Sequence, residues 1–236
     1  MREFFNTLII ESTTYCNRKC SYCPNSLYER GSEQKQITLD EEVFFKIIDE
    51  LSELKFSGRI LPHLYGEPLL DKRLPLLINY VKKKLKKSLV VIHSNGDYLN
   101  QEILKELDLA GTDAIIVTEH GKFPNSRVET LTRNNKSKLK LIYRSSEDLE
   151  LMNRGGSVNV ANPVRFKKCF YPSQALTVSA HGKVILCCND YHGEVEIGNL
   201  RNETISEIWT KEKFKEIRSR TKKGDFQLEI CKKCTA

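Results

Sequence analysis

Apolar positions along the first 150 residues follow two alternating rhythms. Leu8, Ile9 and Ile10 make a short unbroken run, as in a strand covered on both faces. Val43, Phe44, Ile47, Ile48, Leu51 and Leu54 instead recur every three or four residues, which places them on one side of a helix. Thr38 and Glu41 have the spacing of a capping box and are expected to open that helix. The alternation continues with a strand over 60–65, a helix over 74–86, a strand over 89–93 and a helix over 101–109 that Gly111 terminates. A strand over 114–118 follows, then a connection over 125–135 with no clear pattern, then a fifth strand over 139–143.

Strands that alternate with helices imply parallel pairing through right-handed crossovers. The expected fold is therefore α/β, but five strands are too few for a closed eightfold barrel, which takes ~250 residues. An open, partial TIM-like βα barrel of about five to six parallel strands fits residues 1–153. Chemistry in such folds sits at the C-terminal ends of the strands, where this reading puts Cys16, Gly66, Asn95 and His120. After Asn153 the rhythm changes. Segments 175–179 and 184–187, separated by Ala180, His181, Gly182 and Lys183, read as a β-hairpin; Thr204 and Glu207 then cap a helix carrying Ile208, Trp209, Phe214 and Ile217. Residues 154–236 thus form a small hairpin-plus-helix module.

Composition narrows the function. A 236-residue chain that is 39% hydrophobic can bury a substantial core. Its formal charge is +7, but the basic run 82–87 reads as the solvated end of a helix, without interleaved aromatics, so no nucleic-acid partner is expected. The apolar run near the N-terminus is too short for a signal peptide, and no stretch of about 18 apolar residues occurs, so a cytoplasmic protein without membrane contact is expected. Eight cysteines in a reducing compartment point to metal or catalysis.

Cys16, Cys20 and Cys23 place three thiolates on one loop after the first strand. Three ligands on a four-iron cubane leave one iron open to a small chelating ligand. Zinc is the alternative, but tetrahedral zinc wants a fourth ligand and the loop offers none. Cys231 and Cys234 form a second pincer, which Cys187 and Cys169 can complete; either a fully ligated iron–sulfur cluster or a four-cysteine zinc site satisfies that set.

The three-cysteine spacing, with Tyr22 before the last cysteine, resembles the radical S-adenosylmethionine superfamily. Tyr65, Gly66, Glu67 and Pro68 are similar to the family's stretch that receives the methionine amino group, and Ser94, Asn95 and Gly96 to its ribose-contacting position. The resemblance implies that Tyr22, Gly66, Glu67, Pro68, Ser94 and Asn95 bind S-adenosylmethionine. The tail resembles the twitch module, a shortened SPASM extension, which implies a second 4Fe–4S cluster on Cys169, Cys187, Cys231 and Cys234, with Cys187 rather than Cys188 as the ligand. Strand alternation would turn those neighbours to opposite faces, leaving Cys188 as a buried small hydrophobe.

Along nearly its whole length the chain is similar to twitch-bearing dehydrogenases of this superfamily. That implies abstraction of a carbinol hydrogen by a 5′-deoxyadenosyl radical. A secondary alcohol of an amino sugar, cyclitol or similar polyol becomes a ketone, and an electron passes to the auxiliary cluster. Arg154 is the expected substrate contact, and His120 the expected hydrogen-bonding or proton-accepting group. His63 reads as structural, and His93 stands where an aromatic residue is expected. A flavodoxin- or ferredoxin-type electron donor is the expected protein partner. The competing enzymatic reading is a peptide-modifying maturase, although no leader-binding domain is expected ahead of the first strand; a non-catalytic zinc or redox scaffold would leave Gly66, Glu67 and Asn95 unexplained.

Overall fold

The computed structural model describes residues 4–120, 126–135 and 137–235. Strand β1 (Thr7–Ile10) is buried along its whole length, as its unbroken apolar run requires. It pairs in parallel with β2 (Arg59–Leu61) on one side and β6 (Ala175–Val178) on the other. Strands β3 (Leu89–Ser94), β4 (Ala114–Glu119) and β5 (Lys140–Ser145) extend the parallel sheet beyond β2, while β7 (Lys183–Ile185) and β8 (Glu196–Asn199) continue it antiparallel beyond β6. Among the described residues the result is one eight-stranded sheet in the order β5-β4-β3-β2-β1-β6-β7-β8. The partial barrel therefore has six parallel strands, and the first strand of the C-terminal hairpin is its sixth.

Helices α1 (Glu41–Glu53), α2 (Leu74–Lys84) and α3 (Gln101–Ala110) cover the outer face. Phe44, Ile47, Ile48 and Leu51 of α1 join Leu8, Ile10, Ile60, Val90, Ile92 and Ile115 in the core, each side chain contributing about 1.5–3 kcal/mol through burial. Period-two alternation then divides β3: Val90 and Ile92 go under the helices, and His93 lines the inner cavity. Asn100 caps α3 by accepting from Ile103 N–H, and Gly111 ends it at φ 95°.

Several local expectations change. Helix α1 is opened by Asp40 in an extended conformation with no side-chain cap, because Thr38 is drawn into a bridge with Thr13 and no capping box forms with Glu41. Strand β2 stops at Leu61 rather than 65, since Pro62 has no N–H to continue a ladder. Of the unpatterned connection over 125–135, Asn125 lies outside the described residues, and Ser126–Asn134 form helix α4. The short helix α5 (Tyr171–Gln174) leads into β6, and α6 (Ile205–Thr210) carries the full Thr204–Glu207 capping box. Trp209 of α6 packs edge-on against Phe5, with ring centroids 5.0 Å apart, and against Phe214 of α7 (Glu212–Lys223). The last element is α8 (Glu229–Thr235). Among the described residues no helix is long and apolar enough to cross a membrane.

Candidate active site

The loop after β1 is held by its backbone. Cys16 N–H donates to Gly31, Cys23 N–H to Cys20, and Ser26 donates to Cys23 through both N–H and Oγ. Asn25, 3% exposed, ties this loop to its surroundings: its amide donates to the Tyr65 carbonyl, and its oxygen accepts from the Tyr191 hydroxyl. Gly66 lies so close to the loop that an added Cβ would fall 2.0 Å from the Thr13 carbonyl oxygen, so only glycine fits, and Glu67 N–H then reaches Tyr15 at 2.7 Å.

Glu67 is the junction of the three motifs. Its carboxylate accepts from Leu69 N–H at 3.0 Å, from Ser94 Oγ at 2.8 Å and from Asn95 N–H at 2.8 Å. Burial nevertheless outweighs these donors and pushes the carboxyl up to about 7. Pro68 does not face the cavity; it is buried and opens the turn that aims Leu69 N–H at Glu67. The Asn95 side chain donates to Asn17 and accepts from Asp97 N–H. Asp97 in turn receives Arg18 bidentately at 2.6 and 2.7 Å, together with Asn17. This bracket between the cysteine loop and the β3 loop was not assigned from sequence. Its only signal was an aspartate two residues after Asn95.

These elements enclose a cavity of about 440 Å³ whose wall includes Cys16, Cys20, Cys23, Tyr22, Glu67 and Asn95. Tyr22 hydroxyl and His120 Nδ1 share a hydrogen bond, and burial lowers the His120 pKa below the ordinary imidazole value. His63, read from sequence as structural, also lines the cavity, its ring centroid 4.8 Å from that of His93. Desolvation holds both neutral: His63 falls well below its ordinary value and His93 to about 4. Arg154 lines the same cavity at φ 52°, in the left-handed region, with its guanidinium 3.3 Å from Asn189 Oδ1 and 5.9 Å from the Tyr65 ring centre. Such a backbone in a residue with a Cβ persists only where the surroundings hold it. Gly155 beside it meets α8 so tightly that a Cβ would stand 2.5 Å from Ile230.

Cys169, Cys187, Cys231 and Cys234 converge on a separate apolar pocket with Phe166, Tyr171 and Leu186. Cys188 does not join them; it lines the larger cavity, and its carbonyl accepts the Tyr65 hydroxyl at 2.6 Å. The separation arises because both cysteines sit in a turn beyond the end of β7, so strand alternation has no part in it. A second residue missed in sequence is Glu11, fully buried, paired with Arg30 and accepting from Ala180 N–H.

The donor sets fit iron–sulfur clusters. All eight cysteines are free, and burial pushes the Cys16 and Cys231 thiols up to about 12, so thiolates form there only against a positive metal. Among the described residues no group of three or more His, Cys, Asp or Glu is gathered tightly enough to chelate a single ion. Four cysteines around one pocket are the complete ligand set of a cubane, and three around the other leave one iron open to a small chelating ligand.

The sequence profile of the radical SAM superfamily matches residues 10–137. The chain belongs to the radical SAM superfamily. A profile described as an iron–sulfur cluster-binding domain, SPASM, matches residues 169–235. This radical SAM protein is thus an S-adenosylmethionine and iron–sulfur protein with an auxiliary cluster domain. It is 33% identical over 238 residues to the S-adenosyl-L-methionine-dependent 2-deoxy-scyllo-inosamine dehydrogenase of Niallia circulans, covering 99% of this chain and 94% of that one. The crystal structure of BtrN in complex with AdoMet and 2-DOIA superposes with a TM-score of 0.90 at 32% identity, covering 100% of this chain and 95% of that one. BtrN in an open conformation gives a TM-score of 0.76 at 29% identity, covering 100% and 94%. This radical SAM chain therefore resembles the ligand-bound form more closely than the open one.

Proposed function

We propose that this protein is a radical SAM dehydrogenase that oxidises a secondary alcohol of an aminocyclitol, or of a closely related amino sugar or polyol, to a ketone. Full-length similarity to an aminocyclitol dehydrogenase supports the reaction class. The observation that carries the reading is the single residue step between Cys187, in the auxiliary pocket, and Cys188, in the reaction cavity. Net oxidation needs an electron outlet beside the substrate, and here consecutive residues line the two sites while Tyr171 lines both. The peptide-modifying alternative draws only on fold: SuiB bound to its precursor peptide reaches a TM-score of 0.53 at 12% identity.

Cys16, Cys20 and Cys23 would hold the first cluster; Cys169, Cys187, Cys231 and Cys234 would hold the second. Bound there, the first cluster would supply the electron for reductive cleavage of S-adenosylmethionine, the source of the radical that abstracts hydrogen. The remaining work belongs to the chain. Glu67 receives the methionine ammonium, whose charge favours the carboxylate that burial opposes. Ser94 and the Asn95 N–H fix that carboxylate, while Tyr22 and Gly66 complete the cofactor wall.

Arg154 donates to substrate hydroxyl oxygens and orients the carbinol. Neutral His120 serves as proton acceptor in the tautomer whose Nδ1–H donates to the Tyr22 oxygen, leaving Nε2 free for the hydroxyl proton. In this reading residues 1–153 carry five of the barrel's six parallel strands, and 154–236 form the auxiliary module together with the sixth, β6. A flavodoxin or ferredoxin serves as the redox partner. The experiment is anaerobic incubation of the reconstituted enzyme with 2-deoxy-scyllo-inosamine and related cyclitols. Ketone formed in step with 5′-deoxyadenosine supports the reading, and cofactor cleavage without ketone from any cyclitol or amino sugar overturns it.

A further inference from the structure

The formal charge of +7 is not spread over the molecule. Residues 161–170 and 218–235 carry nine of the 38 basic residues and only two of the 31 acidic ones, so the rest of the chain holds 29 of each and is neutral. Those two segments supply three of the four cysteines of the auxiliary pocket, Cys169, Cys231 and Cys234. The fold also brings them together. Cys169 N–H donates to the Thr221 carbonyl at 2.9 Å, and Gly224 lies against Lys167, where a Cβ would meet the Lys167 carbonyl oxygen at 2.3 Å.

Three members of the group have partners within the chain: Arg218 over the Trp209 ring at 4.1 Å, Arg220 in ion pairs with Glu216 and Asp225, and Lys232 in a solvent-exposed pair with Glu229 at 2.6 Å. The exposed lysines of the group include Lys167, Lys168, Lys223, Lys232 and Lys233. Lys168 precedes Cys169 in the chain, and Lys232 and Lys233 stand between Cys231 and Cys234. Phe170, 46% exposed, adds an apolar contact beside Cys169.

We infer that this lysine-rich rim of the auxiliary pocket is the docking surface for an acidic one-electron carrier protein of the flavodoxin or ferredoxin type, which removes the electron that substrate oxidation releases. The inference rests on the dehydrogenase reading, because only a net oxidation leaves an electron to export. Loss of the carbinol hydrogen atom and of the hydroxyl proton converts alcohol to ketone with one electron left over. The proton passes to solvent, and the electron reduces the oxidised carrier by one. A ring of like charges around a redox centre steers an oppositely charged protein and fixes its orientation while leaving the contact weak and reversible. A nucleic-acid groove instead wants aromatic platforms along a basic track, and among the exposed residues of these segments Phe170 stands alone.

The test is a titration of the anaerobic holoenzyme with an oxidised flavodoxin, followed by flavin fluorescence at low and at moderate salt. Binding should weaken at least tenfold over that salt range and at least tenfold in K167E/K168E and, separately, in K232E/K233E. The control K86E/K87E, on the other basic run, should bind as the parent does. Iron content and dithionite-driven cofactor cleavage equal to the parent's certify that each variant is intact. Binding unaffected by either double variant, weakened equally by the control, or displaced to Lys19 and Lys35 beside the first cysteine loop overturns the proposal. So does a rim that binds single-stranded oligonucleotide but not flavodoxin. If flavodoxin binds through these lysines yet no alcohol is oxidised, the dehydrogenase reading fails and the docking site stands. If dithionite supports alcohol oxidation without flavodoxin binding, the reverse holds.

Discussion

Cys187 and Cys188 are consecutive in the chain and belong to different sites. Cys187 joins Cys169, Cys231 and Cys234 in the auxiliary pocket; Cys188 lines the larger cavity together with Arg154 and Glu67. The turn that splits them lies just past β7 and places its Cys187 carbonyl against Asp190 N–H at 3.1 Å.

The first prediction concerns that pair. Reconstituted protein should carry about eight irons per chain, as two clusters of four require. Cys187→Ala should bring this to about four, whereas Cys188→Ala should leave it unchanged. Iron analysis with paramagnetic resonance of the reduced protein checks both, and equal loss in the two variants would refute the separation.

Glu67 yields a prediction in pH. Its folded pKa of about 7 lies above the usual carboxyl value of 4.5, so between those limits the folded protein keeps a proton that the unfolded chain has released. The sign follows from linkage: in cofactor-free protein this group costs stability as pH rises from about 4.5 to 7, and Glu67→Gln should flatten that decline. An ammonium bound at Glu67 expels the proton. Calorimetry of cofactor binding at pH 6.5, in buffers of different ionisation enthalpy, should show more proton release in the parent than in Glu67→Gln. The variant should also bind S-adenosylmethionine about ten- to a hundredfold more weakly, in line with the ~1.5–3 kcal/mol of a charge-assisted hydrogen bond.

For Arg154→Ala, ketone formation should fall at least a hundredfold while cofactor cleavage continues uncoupled. The ratio of 5′-deoxyadenosine to ketone is the measurement. A parent-like ratio would remove Arg154 from substrate positioning.

Gly66→Ala should be severe, because the new Cβ meets backbone, the Thr13 carbonyl oxygen, rather than a side chain that can swing away. Overpacking of this kind costs about 1–3 kcal/mol, and here the strain falls on the segment presenting Glu67. Urea unfolding should show the loss in stability, and equilibrium dialysis should show weakened S-adenosylmethionine binding beside it.

Sequence rhythm reveals the helices that depend on their own residues: α3 carries its Asn100 cap and Gly111 stop, and α6 its Thr204–Glu207 box. The same capping pattern at Thr38 misled, since Thr38 is claimed by Thr13, 25 positions away, and no local pattern records that competition. Pro62 did carry a local signal that β2 would end early. The motifs containing Glu67 and Asn95 were legible as short spacings. The Arg18–Asp97 pair and the Glu11–Arg30 pair were not, because each unites segments through tertiary folding alone. Strand alternation through 184–187 predicts Cys188 as a buried hydrophobe, but β7 ends at Ile185 and alternation applies only where a strand exists, so Cys188 lines the cavity instead.

The parallel pairing of β6 with β1 bears on how such enzymes can be recombined. The first strand of the cysteine-bearing tail is also the sixth parallel strand of the barrel, in register from Thr7 with Ala175 to Ile10 with Val178. A tail transplanted from a relative would have to bring or match that strand, so chimeras joined before β6 would test sheet compatibility as well as cluster chemistry. The spacing between the two redox centres is thereby written into a hydrogen-bonded ladder, and a change of partner chemistry has to come from loops and surface charge.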